Sequence, residues 1–119
     1  MSHALLFSIA FAMVASSQPV SAQGHVIMTP QLAEATRKFT TFAPYPEYPA
    51  SAVARHLEGS GWFMLHVRAN GTVQSVEVLQ STGHRELDEA CIAAYTQWHF
   101  RQSFAAKFHK IKIPMTFKI

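Results

Sequence analysis

The last ten residues constrain this chain most. From Lys110 to Ile119 every second side chain is apolar: Ile111, Ile113, Met115, Phe117 and Ile119 stand against Lys110, Lys112, Pro114, Thr116 and Lys118. A two-residue period puts the two sets on opposite faces of an extended strand, so the segment needs a sheet with one face buried and one wet. Pro114 has no N–H to give to a ladder, which predicts an edge strand. A hairpin is legible upstream. Trp62 to Arg68 alternates Phe63, Leu65 and Val67 against Trp62, Met64, His66 and Arg68. Asn70-Gly71 then favours a tight turn, and Val73 to Gln80 returns with Val76 and Val78 on one face.

Between hairpin and final strand the period becomes helical. From Arg85 to about His99, Leu87, Ala90, Cys91, Ala94 and Trp98 form one stripe, while Glu86, Asp88 and Glu89 crowd the first turn, where the helix dipole favours anions. Two shorter helices are expected before the hairpin. One follows Pro49 to about Leu57, with Gly59 as a left-handed cap. The other runs from Pro30 to about Lys38 behind a Thr29 N-cap, with Leu32, Ala35, Thr36 and Phe39 along one side. The order helix, hairpin, helix, strand predicts an α+β fold: a two-layer sandwich of a three-stranded antiparallel sheet with helices on one face.

With 119 residues and a formal charge of +3, the chain has room for one domain. Residues 1–22 read as a signal peptide: Ala4 to Ala15 is apolar, Pro19 follows closely, and Val20-Ser21-Ala22 offers small residues for cleavage. A retained membrane anchor is the competing reading, but spanning hydrocarbon takes about 20 apolar residues. Residues 23–47 then form an extension ending in the Pro-rich linker Pro44-Tyr45-Pro46-Glu47, and 48–119 the domain. Export makes disulfides possible, yet Cys91 is alone.

Little in the sequence points to catalysis. The histidines form no His-Glu-x-x-His or Cys/His set at zinc-ligand spacing, so neither metal nor cofactor is expected. Cys91 lies on an apolar stripe and reads as a small buried hydrophobe. Gly59-Ser60-Gly61 lacks the flanks of a nucleophile elbow or phosphate loop and reads as a turn. The basic residues do not interleave with aromatics in a stripe, which argues against nucleic acid, and nothing suggests a small-molecule substrate.

The ordered set Tyr48-Pro49-x-x-Ala52, Glu58-Gly59, Asn70-Gly71-x-Val73, Val76-x-Val78-x-x-Ser81-x-Gly83, Leu87-Asp88-x-Ala90, Ala94, Trp98-x-Phe100 and Ile113-Pro114-x-Thr116-Phe117 resembles the C-terminal domain of TonB over about 70 residues. That resemblance implies a non-enzymatic, periplasmic binding module of a Gram-negative bacterium. In that family an extended segment of an outer-membrane receptor adds as a strand. Carried onto this sequence, the binding residues would be Tyr48 and Pro49 together with Lys112, Ile113, Met115, Phe117 and Ile119. The periodicity reaches the same place independently, since a free edge strand can accept a partner's strand. The chain departs from the family pattern at Glu47 and Pro46, where transporters of the family carry glutamines, and at Gln102-Ser103, where a proline is usual. The transducers also have a long spacer. Here about 25 residues, 23–47, lie between the expected cleavage site and Tyr48, reaching at most roughly 80 Å extended and about 30 Å as a coil. Partner recognition is therefore expected, with two alternatives: a self-associating structural protein, as a homodimer, or a short membrane-anchored transducer.

Overall fold

Where alternation is written in the sequence, the backbone is extended. The computed structural model describes residues 24–119, and the expected signal segment lies outside them. Along the chain come β1 (His25–Ile27), α1 (Pro30–Phe39), β2 (Thr40–Phe42), α2 (Ala50–Ala54), β3 (Gly59–Val67), β4 (Val73–Gln80), α3 (Arg85–Tyr95), β5 (His99–Phe100), α4 (Gln102–Ala105) and β6 (Lys110–Lys118). Pairing β3 with β4 and with β6, all antiparallel, makes the expected α+β sheet. The sheet has four strands instead of three, in the order β1-β6-β3-β4, because the extension before the linker contributes β1. A second, two-stranded sheet pairs β2 with β5.

Inward alternation supplies the core. Phe63, Leu65 and Val67 of β3 and Ile113, Met115 and Phe117 of β6 are buried, and Leu87, Cys91 and Tyr95 of α3 pack over them. Aromatic rings run through the interior in offset contacts. Phe63 meets Tyr95 at 5.6 Å between centroids, Tyr95 meets Trp98 at 5.1 Å, and Phe100 stacks on Phe104 at 5.3 Å. Each such side chain contributes roughly 1.5–3 kcal/mol by leaving water. α3 ends at Tyr95 rather than near His99, so Trp98 reaches the core from beyond the helix, and its indole N–H donates to the Pro44 carbonyl at 2.9 Å. The Pro-rich stretch is thereby fastened to the core.

Local signals work where one residue decides the backbone. Thr29 caps α1, accepting from the Leu32 N–H at 3.3 Å, with Pro30 in the first turn. In the hairpin the Asn70 side chain accepts from the Thr72 N–H at 3.0 Å, and Gly71 takes φ +95. A Cβ at Gly71 would stand 2.1 Å from the Phe100 carbonyl oxygen. The expected cap at Gly59 is a correction: α2 stops at Ala54, His56 takes the left-handed conformation at φ 56, and Gly59 begins β3. Gly59 is needed for a different reason. Its Cα lies against the Thr82 carbonyl, where a Cβ would come to 2.1 Å.

Candidate functional site

The residues expected to receive a partner run along β6 from Lys112 and Ile113, opposite Met64 and Phe63 in the middle of β3, to its end beside Tyr48, but not as a bare edge. β6 lies between β3 and β1, so the edge-strand expectation is corrected over its last third: His25, Val26 and Ile27 pair with Lys118, Phe117 and Thr116. Pro114 misled for a local reason. It lies beyond the reach of β1 and has a ladder neighbour on the β3 side alone, Trp62, so its missing N–H is tolerated there.

Side-chain direction sorts the expected contact residues. Ile113, Met115 and Phe117 are each about 1% exposed and face the core, so they can offer a partner only their backbone. Lys112 faces outward, its ammonium 5.8 Å from the centroid of the Trp62 ring. Trp62, 42% exposed, shares a groove with Lys112, Pro114 and Leu32, with Ala35 of α1 beside them. Phe39, at the end of α1, lies against Phe104 with the rings tilted and 4.8 Å between centroids. The Ile119 N–H donates to the Glu58 carboxylate at 2.9 Å, tying the end of β6 to the start of β3.

Tyr48 closes the other side of this end. Its ring stands edge-on to Phe117, 5.2 Å between centroids at 85°, and its hydroxyl donates to the Leu57 carbonyl. Burial, and then the Glu58 carboxylate, push the phenol above its ordinary value, so it stays a donor. Pro49 occupies the N-cap position of α2 and sets the chain direction into that helix. Tyr48, Pro49 and the end of β6 are thus brought together. Gly24 also packs on the Tyr48 ring, close enough that a Cβ would meet it at 2.7 Å.

β4 is the far outer strand and carries exposed Val78 and Leu79. Its register skips Leu79 and Gln74, so bulges at both ends twist and blunt it against an added strand. The Cys91 thiol is buried and pushed up to about 12, first by burial and then by Asp88, which keeps it protonated and unreactive. Among the described residues no three His, Cys, Asp or Glu side chains cluster to hold a metal ion, and no helix is long and apolar enough to cross a membrane.

The loop before α3 explains another part of the motif. Asp88 in the first helical turn accepts from the Thr82 N–H at 2.8 Å, the Thr82 hydroxyl at 2.6 Å and the Ser81 hydroxyl. Burial works against the charge, but hydrogen bonds from Ser81 and Thr82, with His84 nearby, hold the carboxyl below its ordinary value. The Ser81-x-Gly83 and Leu87-Asp88 elements are one structural clasp. Sequence reasoning read Asp88 only as a helix-dipole residue, and Ser81 three residues before the cap position was the signal that could have paired them.

Comparison with known proteins agrees with this fold. Residues 44–119 match the family described as Gram-negative bacterial TonB protein C-terminal. Protein tonB2 of Pseudomonas aeruginosa is 34% identical over 79 residues, covering 64% of this chain and 29% of that protein. Protein TonB of Vibrio cholerae is 29% identical over 108 residues, covering 88% of this chain and 41% of that protein. The chain therefore spans well under half the length of these two relatives. The solution NMR structure of the Pseudomonas aeruginosa TonB C-terminal domain superposes with a TM-score of 0.53 at 25% identity, covering 67% of this chain and 83% of that one.

Proposed function

This chain belongs to the family of Gram-negative bacterial TonB protein C-terminal domains, and from that premise we propose that it is a non-enzymatic protein-binding module of the cell envelope, linked to outer-membrane transport. Its partner is a periplasm-facing extended segment of an outer-membrane receptor, received by strand addition along Lys112–Ile119 with Tyr48 and Pro49 alongside. The observation that carries the reading is the match over residues 44–119, which includes Tyr48, Pro49 and the whole of β6. The geometry supports it further. Beyond β3, β6 has among the described residues only the three-residue β1 as a ladder neighbour, so main-chain groups of Lys112 to Met115 lie outside any pairing with them on that side.

Recognition of this kind takes affinity from main-chain hydrogen bonds and specificity from alternate side chains. The buried Ile113, Met115 and Phe117 keep β6 rigid, while Lys112 and Trp62 are exposed to read the partner. The test is a titration of the isotopically labelled chain with peptides from the periplasmic N-termini of outer-membrane receptors of the same bacterium. Amide shifts concentrated at Lys112–Ile119 and Tyr48 are expected. Silence there across the panel refutes the reading.

A further inference from the structure

The end of β6 and the Tyr48 ring are covered by the chain's own residues 24–27, and this has consequences for how any partner arrives. β1 takes three register positions on β6, Lys118, Phe117 and Thr116, while Gly24 packs against Tyr48. These are the places at which the proposed partner segment would add. Resting on that reading, we propose that β1 is a latch: it holds the strand position on β6 that the partner takes, and binding exchanges one strand for the other.

β1 is built to leave. It has three paired residues, of which only Val26 is half-buried, and Ile27 is 44% exposed. The β3–β6 ladder has eight pairs, and Phe63, Leu65, Ile113, Met115 and Phe117 on its inner face are buried. α1, which follows, buries no residue completely; Met28 before it and Leu32 within it pack on the core as half-buried side chains. Segments with so little buried area open at much lower free energy than the core they lie on.

The far end of α1 is pinned. Arg101 donates from its guanidinium to the Lys38 carbonyl at 3.0 Å and from its backbone to the Phe39 carbonyl at 2.8 Å. Thr40 is buried and pairs with Phe100. β1 and the first turns of α1 therefore swing as an arm from a fixed point, and the core keeps its packing when they do. The arm also lies outside the residues 44–119 that match the family. Because the arm stays tethered, the resident strand competes at a high effective concentration, and a partner succeeds only by forming a longer ladder.

A reversible lock tests this. His25 and Lys118 are cross-strand partners with outward side chains. Opposed Cα atoms in an antiparallel pair stand about 4.5–5.5 Å apart, within the range a disulfide spans. The double substitution His25→Cys with Lys118→Cys in the full chain therefore clamps β1 when oxidised and frees it when reduced, while the buried Cys91 stays out of the exchange. In the reduced form, hydrogen exchange along β1 should run at least about a hundredfold faster than in β3, and oxidation should abolish the difference. Receptor-derived peptides should bind the reduced form and lose at least about tenfold in affinity on oxidation.

Val26→Asp, at a half-buried position that leaves the core intact, should speed exchange along β1 and tighten peptide binding; unchanged exchange in this variant counts against the latch. β1 amides as protected as those of β3 in the reduced protein, or peptides that bind both redox forms alike, would overturn it. Peptides that bind neither form remove the partner reading instead, and the exchange measurement then decides the latch by itself.

Discussion

Asp88 is the residue whose replacement should reveal most about how the family motif works. Its two carboxylate oxygens accept three hydrogen bonds, from the Thr82 N–H at 2.8 Å and from the Thr82 and Ser81 hydroxyls. Thr82 is 7% exposed, so donors released there cannot simply turn to water. A buried group left without its partner costs about 1–3 kcal/mol. Removing the charge from the first turn of α3 adds ~0.3–1 kcal/mol. Asp88→Ala should then cost about 2–4 kcal/mol, whereas Asp88→Asn, which keeps an acceptor for both Thr82 donors, should cost roughly 1–2 kcal/mol.

Urea unfolding followed by far-ultraviolet circular dichroism measures this. With slopes of about 1–3 kcal/mol/M, the alanine variant should lose on the order of 1–2 M in midpoint. The pH dependence gives a second check. Because the folded carboxyl sits below its ordinary value, its stabilisation is fully present above the unfolded value of about 3.9 and is lost as pH falls through the lower folded one. The gap between the native chain and Asp88→Asn should therefore narrow below about pH 4. An alanine variant within about 0.5 kcal/mol of the native chain, or a gap to asparagine undiminished in acid, would refute the clasp.

Gly71→Ala should destabilise by about 2 kcal/mol or more, because φ +95 and the Phe100 carbonyl both exclude a methyl group; thermal melts showing no loss would contradict this. Tyr95→Phe should be neutral or slightly stabilising, within about 1 kcal/mol, since the Tyr95 hydroxyl is buried without a hydrogen-bond partner among the described residues; a loss above 2 kcal/mol would mean that the hydroxyl is satisfied in solution.

Much of the fold was legible because its signals are local. Thr29-Pro30, Asn70-Gly71 and the alternation of Lys110 to Ile119 each dictate backbone or facing through neighbours a few residues away, and β4 matches its expected bounds at Val73 and Gln80. The ordered family motif added the architecture, and the Tyr48, Pro49 and β6 juxtaposition followed from it. Tyr95 escaped notice because it sits off the Leu87–Cys91–Ala94 stripe, yet α3 ends there and its ring turns inward onto Phe63.

What only the tertiary structure decided is non-local. Three residues such as His25–Ile27 carry too little period to declare a strand; they are extended because β6 offers a ladder, and that ladder moves β6 off the edge. Gly59 looks like a helix cap in one dimension and proves to be the point where β3 crosses the Thr82 carbonyl. The sequence by itself determined the longer helices and strands and which face each one buries, since those follow from spacing along the chain. Which strands become neighbours, and so which edge stands free, depends on main-chain groups that are the same in every residue and meet only when distant segments pack.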